Sequence, residues 1–137
     1  MRLACYSIAL VTLLLATALV ANDSVTSFPA HGVSPTNEQS RLSIRGTTDT
    51  WIMAPLIEDF QNLFPEVSIR YEELTSAVLH QTYLDEIDAG TRPPDLLISS
   101  AMDLQTKLVN DGHARAHRPE NAPWLPDWAR WQNRAFG

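Results

Sequence analysis

An α/β fold built on a parallel, doubly wound sheet is the architecture this sequence predicts, on three observations. Strand-like and helix-like segments alternate three times between Arg41 and Gly112. Each candidate strand runs into a turn rich in threonine, serine or glycine that leads into an amphipathic stretch. The third strand is a continuous apolar run, the pattern of a parallel strand covered on both faces.

Residues 1–21 come before any of these elements and read as a secretory signal peptide. Arg2 is the only charge, and Ile8 to Ala21 is apolar apart from Thr12 and Thr17. Ala16-Thr17-Ala18 and Ala21 offer small-residue cleavage positions. The run is shorter than the roughly 20 residues that span a bilayer, so no stable membrane insertion is expected after cleavage. Cys5 is the only cysteine and precedes the apolar run, so it leaves with the leader. The mature chain then has no disulfide and depends on burial for stability. Residues 22–40, with Ser24, Thr26, Ser27, Pro29, Gly32, Ser34 and Pro35, show no apolar periodicity and read as a disordered polar linker.

The ordered part is expected over residues 41–137. Leu42 and Ile44 alternate with polar neighbours in a short first strand that stops at Gly46. Thr47-Thr48-Asp49-Thr50 then supplies oxygens suited to a helix start. Ile52, Leu56, Phe60 and Leu63 fall on one helical face, with Pro55 near its amino end and Pro65 closing the segment. Val67, Ile69 and Tyr71 form a second alternating strand. A second helix, capped by Thr75 or Ser76, carries Leu79, Tyr83 and Ile87 and ends at Gly90. Asp95 to Ser99 is the third strand, read as central. Ser100 and Asp103 open a third helix through Leu104 and Leu108 to Gly112. Beyond it, Trp124, Trp128 and Trp131 share helical spacing and suggest one apolar face, more in keeping with core packing than with ligand stacking.

With 16 acidic against 10 basic side chains and no basic stripe, nothing argues for nucleic acid. In an open parallel sheet, ligands gather beyond the carboxyl ends of strands, where the strand order reverses. Two loops meet that description: Gly46 to Thr50 and Ser99 to Asp103. Free N–H groups and the helix dipole favour an anion or an oxygen-rich ligand there, while the same residues also serve as plain helix caps. The candidate ligand-binding residues are Thr47, Thr48, Asp49, Thr50, Ser99 and Ser100. Asp85, Glu86 and Asp88 read as a solvated helix face. His113 and His117 have metal-compatible spacing, but Gly112 and Pro119 oppose the helix it needs, so no metal and no cofactor is expected. No nucleophile elbow, phosphate-binding loop or zinc-protease motif is present, and no enzyme is expected.

The ordered succession of Leu42 to Thr50 (LSIRGTTDT), Ala54 to Phe60 (APLIEDF), Phe64 to Tyr71 (FPEVSIRY), Pro94 to Leu104 (PDLLISSAMDL) and Leu108 to Gly112 (LVNDG) resembles the start of ABC-transporter solute-binding proteins, nearest those for ferric iron and related anions. The resemblance implies a periplasmic receptor of type II fold. Such a receptor closes two lobes on a small anionic or oxygen-rich solute, with ferric iron or a chelate among the candidates, and delivers it to a membrane permease. It also implies that Thr47, Thr48, Asp49, Ser99 and Ser100 border the cleft. On this reading residues 41–137 are the first part of lobe one, and the second lobe, where ferric members keep tyrosine ligands, is absent from the fragment. Two other functions remain: a sensing subunit for a membrane histidine kinase, or an exported hydrolase using Ser99 or Ser100.

Overall fold

The computed structural model describes residues 24–31, 41–117, 119–120 and 122–131, with the backbone of 135–136. The expected signal peptide lies outside the described residues. Among those residues, no helix is long and apolar enough to cross a membrane.

The chain forms a mixed α/β fold with a four-stranded, mostly parallel sheet and, among the described residues, three α-helices. Strand β1 (Ser24–Phe28) is followed by β2 (Arg41–Gly46), helix α1 (Thr50–Leu63) and β3 (Ser68–Glu73). Helix α2 (Ser76–Asp88), β4 (Leu96–Ile98) and α3 (Met102–Asn110) complete this unit. The strands lie in the order β1-β3-β2-β4. β2 runs parallel to both β3 and β4, while β1 is antiparallel to β3.

The sequence alternation dictates the two faces. Leu42 and Ile44 pair in register with Ile69 and Tyr71, so these four point to one side of the sheet. There they meet Met53 and Ile57 of α1, with Phe28, Phe60, Val67 and Ile98 around them, and form the main core. Arg45 and Glu72 are paired on the opposite face, where Glu86 of α2 closes on the same guanidinium. Arg45 is buried and donates to Glu72 at 3.0–3.1 Å and to Glu86 at 2.9–3.0 Å. Burial opposes the charge on Glu72, but Arg45, helped by Arg70, outweighs it and holds the carboxyl below its ordinary range. Glu86 is therefore a structural ion-pair partner, where the sequence suggested a solvated acidic group with Asp85 and Asp88.

Several expectations are corrected. Part of the predicted linker is ordered, because Ser24–Phe28 completes the free edge of β3. Ser24, Thr26 and Phe28 turn inward and Val25 and Ser27 outward, the period of a half-buried strand. The segment after it is tied down by Gln61, 2% exposed, whose amide donates to the carbonyls of Phe28, Pro29 and Val67 at 3.3, 3.1 and 2.9 Å. That tie explains the second correction. The buried face of α1 is Met53, Ile57 and Gln61, while Leu56 and Leu63 of the expected face are 61% and 76% exposed. A polar residue whose two amide hydrogens are shared among three backbone carbonyls is worth burying, and apolar periodicity cannot see it. Pro55 stands in the second turn of α1, so the Trp51 carbonyl lacks its helical donor.

β4 lies at an edge of the described sheet rather than at its centre, and Leu96 is accordingly exposed. Gly90 and Gly112 adopt positive φ (67° and 87°) just beyond α2 and α3, as helix-ending glycines do. The tryptophan segment is not one helix. Pro123 and Pro126 break it into two 3₁₀ turns, Ala122–Trp124 and Asp127–Ala129, followed by β5 (Arg130–Trp131) paired with β6 (Ala135–Phe136). Ala122 and Ala129 are buried, whereas Trp124 and Trp128 are exposed.

Two substitutions test this packing. A Cβ built on Gly46 would meet the Tyr71 hydroxyl at 2.3 Å and two ring carbons at 2.9 Å. Gly46→Ala is expected to cost about 1–3 kcal/mol of stability, measured by urea unfolding. Arg45→Met leaves Glu72 partly buried without its cation and is expected to cost about 3 kcal/mol. The double variant Arg45→Met/Glu72→Gln should recover part of that loss.

Candidate site at the carboxyl ends of β2 and β4

β2 is the middle strand of the parallel trio. The chain leaves it for β3 on one side and returns across it to β4 on the other, so the direction of winding reverses between β2 and β4. Register then fixes the neighbourhood of the loops. Gly46 pairs with Ile98 in β4 and with Glu73 in β3, so the three strands end at one level. The next residue, Thr47, donates its N–H to the Ile98 carbonyl at 3.0 Å, and its Oγ1 accepts the N–H of Ser100 at 3.4 Å. Ser99 Oγ accepts the N–H of Ala101 at 3.1 Å, shaping the entry to α3. Thr47, Thr48, Ser99 and Ser100 are thus gathered at one end of the sheet.

The remaining two candidates are placed differently from the expectation. Thr50 gives both its N–H (2.7 Å) and its hydroxyl (2.8 Å) to the carboxylate of Glu73, which also accepts from Ser24 Oγ at 3.3 Å. The amino end of α1 is already matched by a carboxylate from the chain itself, and the Thr50 hydroxyl is turned inward. Asp49 precedes the helix but makes no side-chain cap; its Oδ2 accepts the indole N–H of Trp51 at 3.0 Å. Ala101 rather than Ser100 stands at the cap position of α3. The N–H and hydroxyl of Thr50 hold the Glu73 carboxyl below its ordinary range. Under the loop, the buried Tyr71 phenol donates to the Thr48 carbonyl at 2.5 Å; burial, then the charge of Glu73, pushes its pKa up, so it stays a donor at neutral pH.

Sequence reasoning missed Glu73 and Trp51. The signal for Glu73 was its position, the last residue of a parallel strand level with Gly46. For Trp51 it was a large aromatic in the first turn of the helix behind the threonine loop. The His113 carbonyl accepts from Tyr83 at 2.9 Å and its ring packs edge-on against Tyr83. Among the described residues no group of three or more histidine, cysteine or acidic side chains could hold a metal ion. A depression of about 340 Å³, lined by Arg41, Ser43, Arg70, Arg92, Pro93 and Asp95, lies at the opposite end of the sheet, where the parallel strands begin.

Because the Glu73 carboxyl is depressed in the folded state, its stabilising effect is full above the unfolded pKa. That effect disappears as pH falls through the lower folded value. Glu73→Gln is expected to flatten this acid limb in a series of melting curves, leaving stability near neutral pH lower than in the parent. An unchanged acid limb would show that the Glu73–Thr50 contact does not form.

No family model matches the chain, and no curated protein matches it. Among solved structures, the substrate-binding protein of an ABC transporter from Agrobacterium tumefaciens matches with a TM-score of 0.75 and 34% sequence identity. The match covers 82% of this chain and 33% of that one, so this chain spans about a third of the length of the solved protein. Likeness in both fold and sequence supports the general class of ABC-transporter substrate-binding proteins.

Proposed function

We propose that this chain forms one wall of the solute cleft in a periplasmic substrate-binding protein of an ABC importer, as part of a doubly wound, type II lobe. The observation that carries the reading is the union of the two hydroxyl-bearing loops through Thr47, Ile98 and Ser100 at the reversal point of the sheet. The placement of α1 and α2 against opposite faces supports the doubly wound description. Thr47, Thr48, Asp49, Ser99 and Ser100 are the residues proposed to meet the solute; Thr50 acts by holding Glu73. The solute is a small oxygen-rich molecule, and the partner that receives it is a membrane permease. One wall leaves a solute half exposed to water, so affinity for this chain alone is expected to be weak.

Neither alternative function gains support from a specific contact. Ser99 Oγ accepts a hydrogen bond from the backbone of its own turn, and no histidine stands in either loop to act as its base.

The reading is tested by titrating the chain with a panel of sugars, organic acids, phosphate and ferric citrate while following backbone amide signals. Shifts are expected to cluster at Thr47, Thr48, Ser99 and Ser100 for at least one solute, and Thr47→Val should weaken that response. Shifts confined to Arg41, Arg70 and Arg92, or absent for every solute, would refute the assignment.

A further inference from the structure

Resting on that reading, we infer that the solute is an uncharged polyhydroxylated ring, a sugar or cyclic polyol rather than an anion, and that Trp51 is the platform on which it stacks. Charge is the first argument. Residues 46–50 and 99–104 contain no lysine or arginine but do contain Asp49 and Asp103, and Glu73 ends the neighbouring strand. Arg45 does not relieve this, because it is buried on the other face against Glu72 and Glu86. Arg41, Arg70 and Arg92 surround the depression at the far end of the sheet. The first N–H of α1 is already bonded to Glu73, so an incoming anion would find that seat filled and like charges around it.

The geometry of Trp51 points the same way. It is 73% exposed beside the threonine loop, yet its indole N–H is fixed by Asp49 Oδ2 at 3.0 Å. A largely exposed indole held by one edge loses little freedom when a ring lies on it. Among the described residues, the other oxygen of Asp49 and the hydroxyls of Thr48 and Ser100 carry no hydrogen bond. A stacked apolar face, a free carboxylate oxygen and two free hydroxyls match the alternating C–H and O–H surfaces of a pyranose or cyclitol.

The test uses the purified full chain and follows the Trp51 indole N–H, assigned through Trp51→Phe, during additions of D-glucose, myo-inositol, inorganic phosphate and citrate. Glucose or inositol is expected to shift the indole together with the amides of Thr47, Thr48, Ser99 and Ser100. Trp51→Ala should weaken that binding about fivefold to tenfold, and Trp51→Phe should retain most of it. Thermal melting should be unchanged in both variants, since the side chain is exposed. Loop shifts produced by phosphate or citrate with a silent indole would overturn this inference and leave the solute-lobe reading standing. Silence at the loops with every probe would overturn both. A Trp51→Ala variant that binds sugar as the parent does would also overturn it.

Discussion

The backbone bond from Thr47 N–H to the Ile98 carbonyl is the contact on which the rest of the site depends. It extends the pairing of β2 with β4 one residue beyond the strands and brings a loop from residue 47 against a turn more than fifty residues later. Parallel pairing makes this possible, since strands that run the same way deliver their exit loops to the same end. Gly46 is the enabling residue: without a side chain it lets Tyr71 pass close enough to hold the Thr48 carbonyl from below. The loop is therefore set from two sides, by β4 laterally and by the core vertically.

Charge is distributed along the sheet in a way that separates scaffold from site. The buried Arg45 joins β2, β3 and α2 through two carboxylates and fixes the face opposite α1. Glu73 joins β3, β1 and the start of α1. Both are internal matches that leave the exposed end of the β2 and β4 loops with unmatched oxygens, not unmatched cations. The same feature that stabilises the start of α1 narrows what the site can hold.

Much of the scaffold was legible because it follows period. The alternation of Leu42, Ile44, Ile69 and Tyr71 marks β2 and β3, the apolar run from Asp95 to Ser99 marks β4, and Gly90 and Gly112 mark two helix ends. That the two hydroxyl loops would leave the same end of the sheet was legible too, since it needs only parallel strands; the order of the strands was not, and β4 lies at the edge. What could not be read depended on contacts distant in sequence. Gln61 is polar, so periodicity placed the wrong face of α1 inward; its burial follows only from carbonyls near Phe28 and Val67. Ser24–Phe28 looked like linker because a single edge strand is stabilised by its neighbour's free backbone rather than by its own apolar content. Glu73 was invisible as a partner of Thr50 until the register placed them together. Trp124, Trp128 and Trp131 have helical spacing, but Pro123 and Pro126 divide their segment into two short turns.

The most direct test of the central claim is a scalar coupling measured across the hydrogen bond between the amide nitrogen of Thr47 and the carbonyl carbon of Ile98. A resolved coupling, accompanied by proton contacts between Thr47 and Ser100, is the predicted result. Absence of the coupling, with rapid solvent exchange of the Thr47 amide, would mean the two loops do not share a wall, and the proposed cleft would go with them.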